Sequence, residues 1–523
     1  MSSWMVLVRQ RRAMLFAFAA LVLAALVAAG CGGDDDQAGS DSSGGSPAKV
    51  AEAPDTLNVA LGTELPPYDP HLYANRFLNV VGDNIWETLL VFDADRQLTP
   101  LLAEDLPERV DELTWRFKLR EGVTFSDGEP LTTQSVADSI NRISDPKLNS
   151  EWSSTVGETI DKAVAVDDTT VDVKTKDPDE LLPRRTAFIK ITPSSIGTDT
   201  KAFMANPIGS GPYKWVSGSE TGPVELTRND DYWGEAPPIE NINIRVVPDV
   251  STRIASLKAG EIQLLPELPP DTADGVPQLF QGPGLENPVI ILGSTNGGIT
   301  ADVNVRKALN LAVDKDALVD LYSGYAEVSK CQTVSPGSFG YNDELQPYPY
   351  DPEQAKQLIQ DAGANGKTIK FVGARFFGQS ADLAQTVSAY WTEAGLKVDL
   401  EMPEFDQYSP QYTSKGKDRP DALYVPPSDD LNDASATSKS LATDGVGSGY
   451  SNPQVDKLFK ESVEASDPAE REAMLKEAQK IACDDAANVF LIRPLNLWGA
   501  SANLEWEPRF DAALYFPSMS FSE

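Results

Sequence analysis

Alternating apolar and polar positions predict strands in the early part of the chain. The runs Thr56–Leu61 and Leu113–Leu119 both alternate with a period of two, as half-buried strands do. Between them, apolar residues recur at helical spacing from about Asn75 to Thr88, which predicts a helix. Thr132 is placed to cap a further helix that begins near Thr133. Helices and strands therefore intermix from the start.

A βαβ unit is predicted further along. Thr368–Val372 has the pattern of a strand, Gln379–Ala394 that of a helix, and Leu396–Met402 that of an alternating strand. Two strands joined by a crossover helix run parallel in one sheet. Ala422–Val425 is expected to add another strand to that sheet. The fold class predicted from these patterns is α/β.

The stretch Asn206–Gly234 combines turn residues with large aromatic rings. Gly209–Pro212 predicts a turn, and Tyr213–Val216 and Val224–Thr227 are expected to pair as a hairpin. Large rings need a core or a ligand to cover them. We expect Tyr213, Trp215, Tyr232 and Trp233 to pack in the core or between lobes of the fold, and not to contact a ligand.

The N-terminal residues have the layout of an export signal. Arginines are followed by the apolar run Ala13–Ala29 and then by Cys31. Leu26–Cys31 resembles the bacterial lipobox, in which the cysteine receives a lipid, and an uncleaved membrane anchor is the alternative. We expect residues 1–30 to be a lipoprotein signal peptide and residues 31–55 to be a flexible tether.

Charge and histidine content limit the possible functions. The formal net charge is −35, which disfavours binding to nucleic acid. His71 is the single histidine, so zinc motifs that need two histidines are excluded, and a Ser-His-Asp site would have to use it. We expect no catalytic residue, metal or cofactor. Besides Cys31, the cysteines Cys331 and Cys483 are expected to form one disulfide, or else to be two separate buried thiols.

Several blocks resemble extracellular solute-binding proteins of the peptide/nickel type, the capture subunits of ABC importers. The resemblance covers nearly the whole chain after the tether. The blocks that carry it are Gly209–Tyr213 with Arg228–Gly234, Leu119–Leu131, Pro248–Ile262, Val305–Lys315 and Gly449–Leu458.

This resemblance implies a two-lobed, periplasmic-binding-protein-like fold of the class II type, with an extra subdomain in the first lobe. The expected boundaries are 56–298 for the first lobe, with the subdomain at about 90–200, then 299–495 for the second lobe and 496–523 for a C-terminal return to the first lobe. A monomer is expected.

Two charged residues follow predicted strands of the second lobe. Arg375 follows Thr368–Val372 and Asp429 follows Ala422–Val425. If those strands share a sheet, both residues lie on one rim, where ligands settle in open α/β sheets. An arginine can hold a carboxylate and an aspartate an ammonium group, which suits a short peptide. In peptide-binding relatives, residues at these places have such roles. The alternatives are a salt bridge within the lobe for Arg375 and a helix cap for Asp429.

Other candidate ligand contacts flank these positions. Phe376 and Phe377 are the expected stacking surfaces, although one of them is expected in the core. The resemblance places Tyr73, Asn75 and Asn296 in cleft-facing loops of the first lobe, and Asn75 has an N-cap as its alternative role.

The predicted function is capture of a di- or oligopeptide outside the cytoplasm and its delivery to a membrane permease with cytoplasmic ATPase subunits. The expected location is the membrane surface, through lipid on Cys31. Within the same architecture, a sugar, an opine or another small polar solute is the alternative ligand. A cell-surface hydrolase or a sensory receptor is the alternative of another class.

Overall fold

A computed structural model describes residues 55–65, 67–74, 76–197, 199–219, 222–375, 379–465 and 467–522. They all belong to one compact unit, Glu52–Glu523. The predicted signal peptide and Cys31 lie outside the described residues, as do Asn75, Phe376 and Phe377.

Strands occur along most of the described chain. In chain order they are β1 (Thr56–Leu61), β2 (Leu90–Phe92), β3 (Leu98–Pro100), β4 (Glu108–Asp111), β5 (Thr114–Lys118), β6 (Ile160–Ala165), β7 (Thr170–Thr175), β8 (Tyr213–Ser217), β9 (Val224–Arg228), β10 (Asn241–Val246), β11 (Leu264–Leu265), β12 (Gln278–Pro283), β13 (Val289–Leu292), β14 (Ala326–Val328), β15 (Thr368–Val372), β16 (Lys397–Glu401), β17 (Ala422–Val425), β18 (Asn488–Phe490), β19 (Ile492–Ala500), β20 (Leu504–Glu505) and β21 (Ser520–Phe521).

Side-chain caps begin many of the helices. The carboxylate or hydroxyl of Thr132, Asp249 and Asp351 accepts a backbone N–H of the first turn, as the sequence predicts for Thr132, and each cap is worth about 1 kcal/mol. The helices are α1 (Arg76–Ile85), α2 (Thr133–Ile143), α3 (Leu182–Arg185), α4 (Thr200–Ala205), α5 (Val250–Lys258), α6 (Val303–Leu311), α7 (Lys315–Leu321), α8 (Pro352–Asp361), α9 (Ser380–Glu393), α10 (Phe405–Thr413), α11 (Ala434–Thr437), α12 (Pro453–Glu464) and α13 (Pro468–Asp484).

The first lobe is built on a mixed sheet with the order β12-β19-β11-β1-β10-β9-β8, and β14 pairs with β19. β1 lies in its middle and runs parallel to β10, with Val59 opposite Ile244. Their side chains are fully buried. The antiparallel sheet β4-β5-β7-β6 lies within the predicted subdomain at about 90–200 and has its own apolar core against α2.

The second lobe is built on the sheet β16-β15-β17-β13-β18. β15 is parallel to both β16 and β17, and α9 connects β15 with β16. The predicted βαβ unit and the added strand are therefore confirmed. The buried core of this lobe includes Phe371 and Trp391, whose ring centroids lie 5.1 Å apart.

The lobe boundaries differ from those predicted. β13 belongs to the second sheet, so the chain enters the second lobe before Val289 and not at residue 299. β18 belongs to the second sheet and β19 to the first, so the chain returns at about residue 491 and not at residue 496. Short strands of uniform apolarity do not reveal which of two sheets they join, because pairing is set by distant residues.

The predicted hairpin is formed by β8 and β9. The turn before it lies against the end of α1, where Gly211 N–H donates to the carbonyl of Ile85 over 2.8 Å. A Cβ on Gly211 would lie 2.6 Å from that same oxygen, and a Cβ on Gly209 would come closer still. Neither glycine has a positive φ. Close backbone approach, and not turn conformation, is therefore what requires glycine at these two positions.

Cys331 and Cys483 form a disulfide in the second lobe. It links the segment after β14 to the last turn of α13 across a sequence separation of 152 residues. The bond lies beside the buried side chains of Val289 and Phe490, which belong to adjacent strands β13 and β18.

The close approach at Gly209 predicts a specific loss of stability. Gly209→Ala should lower the free energy of unfolding by about 1 to 3 kcal/mol, because the new methyl group overlaps the carbonyl of Ile85. Thermal unfolding followed by circular dichroism measures this change. Gly275→Ala is the matched control, since a Cβ there meets no atom within 4 Å. Equal melting temperatures for both variants would contradict the steric explanation.

Candidate functional site

A cavity of about 600 Å³ lies between the two lobes. The first lobe contributes the end of α1 with residues 86–88, the β2–β3 hairpin, residues 187–190 and the C-terminal residues 509–515. Residues 284–286 lie on the first lobe crossing, residues 428–432 belong to the second lobe, and residues 494–496 lie in β19, just after the chain returns to the first lobe. Cavities of about 300 to 1,000 Å³ hold small organic ligands, so this one is the candidate site.

Glu87 is the central polar group of the first-lobe wall. Its carboxylate accepts hydrogen bonds from Ser210 Oγ at 2.8 Å, Tyr232 OH at 2.8 Å and Trp233 Nε1 at 2.9 Å. Burial raises the pKa of the Glu87 carboxyl above its usual range. Tyr232 and Trp233 thus serve to hold this wall, and Tyr213 lies fully buried in the first-lobe core.

Both cationic side chains that line the described cavity have carboxylate partners. Lys190 Nζ lies 2.5 Å from Asp83 Oδ1. Arg509 forms a two-bond pair with Asp511, at 3.0 and 2.7 Å, and also donates to the carbonyl of Phe92. These pairs fix the positions of the cations at the cavity surface.

Asp429 is fully buried and serves its own lobe. Its carboxylate accepts the backbone N–H of Ser335 at 3.1 Å and that of Asp433 at 3.2 Å. Burial raises the pKa of Asp429 to about 6. These bonds hold the loop 429–433 in place. The role of Asp429 is therefore structural, as in the alternative that it caps a helix. The direct ligand role predicted for Asp429 has no exposed carboxylate to support it in this conformation.

Arg375 lies at the predicted rim but outside the cavity. β15 and β17 are parallel neighbours, so Arg375 and Asp429 do follow strands of one sheet at the same edge. However, the Arg375 side chain is 52% exposed, and its guanidinium lies 3.6 Å from the carboxylate of Glu404. The salt-bridge alternative describes this geometry, and a ligand role for Arg375 stays a prediction.

Asn296 lies in the second lobe, so its predicted place in a first-lobe cleft loop is wrong. Its Nδ2 donates to Asp421 Oδ1 at 3.0 Å. Asp421 directly precedes β17, whereas the loop that lines the cavity follows β17. Asn296 therefore belongs to the opposite edge of the second sheet. The prediction failed because the chain enters the second lobe before β13, earlier than residue 299.

The remaining predicted first-lobe contact, Tyr73, packs against the first-lobe core, and its neighbour Ala74 lines the cavity. Sequence reasoning missed Glu87, Glu286 and Asp430 as cavity residues. In the sequence, Asp430 is distinguished only as one of the two adjacent acids Asp429 and Asp430. The loop after β17 buries the first acid and turns the second toward the cavity.

His71 has a structural environment. Its Nε2 lies 2.6 Å from the carbonyl of Lys190, and its Nδ1 lies 3.0 Å from Arg142, which pairs with Asp69. Burial lowers the pKa of His71 to about 4, so the ring is neutral at pH 7. Both ring nitrogens of His71 therefore have polar partners.

Two further features are absent from the described residues. They contain no helix that is long and apolar enough to cross a membrane. Within the same part of the chain, no group of three or more histidine, cysteine or acidic side chains is arranged to hold a metal ion.

The buried carboxyl of Asp429 predicts a pH-dependent stability. Its raised folded-state pKa means that its contribution is complete below the usual value of 3.8 and is lost as the pH rises through about 6. Relative to Asp429→Asn, the wild-type protein should therefore lose about 2 kcal/mol of unfolding free energy between pH 4 and pH 7. Urea unfolding at several pH values measures this difference. Asp105→Asn, at an exposed position, should follow the wild type, and parallel profiles for wild type and Asp429→Asn would refute the assignment.

Comparisons with known proteins agree with this architecture. A chain from Pectobacterium atrosepticum described as glutathione-binding protein GsiB is 29% identical over 453 residues, covering 83% of this chain and 87% of the relative. Its Escherichia coli counterpart is 27% identical over 454 residues, with 83% and 88% covered.

Solved structures of two-lobed periplasmic binding proteins have the same fold. NikA from Brucella suis, in complex with Fe(III)-EDTA, has a TM-score of 0.79 at 25% identity, covering 89% of this chain and 100% of that one. DppA from Helicobacter pylori, in complex with the peptide STSA, has a TM-score of 0.73 at 22% identity, with 90% and 98% covered. The family model described as "Bacterial extracellular solute-binding proteins, family 5 Middle" matches residues 97–445, more than half of the chain. The chain therefore belongs to the bacterial extracellular solute-binding proteins of family 5.

Proposed function

We propose that this protein is the solute-binding subunit of an ABC importer and that it captures a di- or oligopeptide, without a catalytic step, for delivery to a membrane permease. The main observation that supports the proposal is the cavity of about 600 Å³ that both lobes line. Two kinds of relative support a peptide ligand. GsiB is named for glutathione, which is a tripeptide, and DppA was solved with the peptide STSA.

The family acts outside the cytoplasm, which gives the protein its extracytoplasmic location. Lipid attachment at Cys31, which holds a monomeric binding unit at the membrane surface, is part of the proposal. It rests on the apolar run and the small residues that precede this cysteine.

Contacts between the lobes support a clasping mechanism. Arg96, in the β2–β3 turn, donates to Asn432 Oδ1 at 3.1 Å and to Ser338 Oγ at 3.3 Å. Arg184, in α3, donates to the carbonyls of Leu431 and Asn432 at 3.1 and 3.2 Å. All of these acceptors belong to the second lobe. A bound solute would therefore be enclosed by contacts that the lobes make with each other.

Blocking the cavity tests the proposed function. Tri-alanine and glutathione should both bind in calorimetry, and native mass spectrometry of the purified full chain should show a retained peptide and a lipidated Cys31 at the mature N-terminus.

Ala187→Trp, at the cavity surface, should weaken binding at least tenfold, because the indole takes the ligand's space. Ala469→Trp, at an exposed position of α13, should bind as the wild type does. Absence of peptide binding, or cleavage of the peptide on incubation, would overturn the proposal.

Removing one interlobe contact tests the clasping mechanism. Arg184→Ala should weaken tri-alanine binding by about 1 to 3 kcal/mol, since two charge-assisted hydrogen bonds of the closed form are lost. Arg116→Ala is the control, because Arg116 pairs with Asp172 inside the four-stranded sheet. An affinity for Arg184→Ala that equals the wild-type value would show that these contacts do not assist closure.

A further inference from the structure

Four aromatic rings form a continuous part of the cavity surface, which we call the aromatic wall. Its members are Trp152, Phe188, Phe92 and Phe510, and all four line the cavity. The ring centroids of Trp152 and Phe188 lie 5.5 Å apart. The ring of Phe92 lies 6.3 Å from that of Phe188 and 6.4 Å from that of Phe510. Each ring of the wall therefore contacts the next at a separation that favours tilted and edge-to-face packing.

The wall is assembled from separate parts of the first lobe. Phe92 is the last residue of β2, Trp152 lies between α2 and β6, Phe188 follows α3, and Phe510 belongs to the C-terminal segment. Arg509 donates a hydrogen bond to the carbonyl of Phe92 over 2.9 Å, which ties the C-terminal segment to β2. Three of the rings are buried, and Phe188 is half-buried. Packing within the lobe therefore holds the wall in place.

Two arginines of the contact between the lobes pack on this wall. The guanidinium carbon of Arg96 lies 4.5 Å from the ring centroid of Phe510, and that of Arg184 lies 5.7 Å from the ring centroid of Phe92. At such distances a cation is attracted to an aromatic face. Both guanidinium groups also donate hydrogen bonds to Asn432 of the second lobe. The two phenylalanine rings are thus fixed by groups that link the lobes.

Ion pairs lie beside the aromatic wall. Lys190, two residues after Phe188, pairs with Asp83. Arg509 pairs with Asp511 and directly precedes another ring of the wall. Both pairs line the cavity, and each presents one cation and one carboxylate. Charges of both signs suit the terminal groups of a peptide, so a peptide backbone can be held next to the rings.

We propose that the aromatic wall is a side-chain subsite of the cavity and that it selects peptides with an aromatic side chain. This inference rests on the proposed peptide-binding function. An aromatic side chain buries a large apolar area against the wall and adds edge-to-face contacts with its rings. An alanine methyl group gains little of either. Because the rings are already held by the first lobe, ordering them on binding costs little entropy.

Four tripeptides test the selectivity by calorimetry on the full chain. They are tri-alanine and the three peptides in which phenylalanine replaces alanine at the first, second or third position. At least one of the three should bind about tenfold more tightly than tri-alanine, because burial of the ring adds apolar area. The same peptide should show a more negative heat-capacity change on binding than tri-alanine, which is the signature of apolar burial.

Matched variants locate the selectivity in the wall. Phe188→Leu should lower the affinity ratio between the tightest phenylalanine peptide and tri-alanine at least about threefold, because one ring contact is lost. Phe280→Leu is the control and should keep the wild-type ratio. Phe280 is also half-buried, and its ring centroid lies 5.5 Å from that of Trp506, but it is not among the described residues that line the cavity. The ratio compares two peptides on one folded protein, so a general loss of stability leaves it unchanged.

Several outcomes would overturn the aromatic selectivity and leave the proposed function intact. These are binding of all three phenylalanine peptides no tighter than that of tri-alanine, and a heat-capacity change equal to that of tri-alanine. A ratio that survives in Phe188→Leu, or that falls equally in Phe280→Leu, has the same meaning. Failure of every peptide to bind, tri-alanine included, would instead overturn the proposed function and this inference with it.

Discussion

The contact between the end of α1 and the turn before β8 determines the first-lobe side of the cavity. Gly209 and Gly211 let two backbones meet at Ile85, and the next acid along the chain, Glu87, is buried there. A buried carboxyl is costly unless donors surround it. Ser210, Tyr232 and Trp233 supply those donors from the segment around the β8–β9 hairpin. Local sterics and polar satisfaction together therefore fix the cavity wall.

The second-lobe side follows the same physical rule. Asp429 and Asp433 are both fully buried, and they order the loop between them through backbone N–H groups and Arg471. Asp430 and Asn432 are the residues of this loop that line the cavity. In the second lobe, buried acids hold the loop in place and their sequence neighbours line the cavity. In the first lobe, the buried acid Glu87 itself lines the cavity.

Local patterns predicted the βαβ unit, the hairpin and the helix cap at Thr132, because each depends on residues close together in sequence. The candidate site was predicted less well. The rule that ligands settle at the carboxyl ends of parallel strands brought Arg375 and Asp429 to the correct sheet edge. It does not determine which acid in Asp429-Asp430 turns outward, since that depends on the distant backbone of Leu285 and Ser335. The same limitation misplaced Asn296, because the sheet joined by β13 is set by residues far along the chain.

The disulfide between Cys331 and Cys483 has a consequence for the maturation of the protein. Thiols remain reduced in the cytosol and pair in oxidising compartments. While the thiols are reduced, the segment after β14 and the end of α13 are therefore held together only by noncovalent packing. Oxidation adds a covalent link across most of the second lobe and restricts its unfolded ensemble. The polypeptide is thus easier to unfold under reducing conditions and more resistant under oxidising ones.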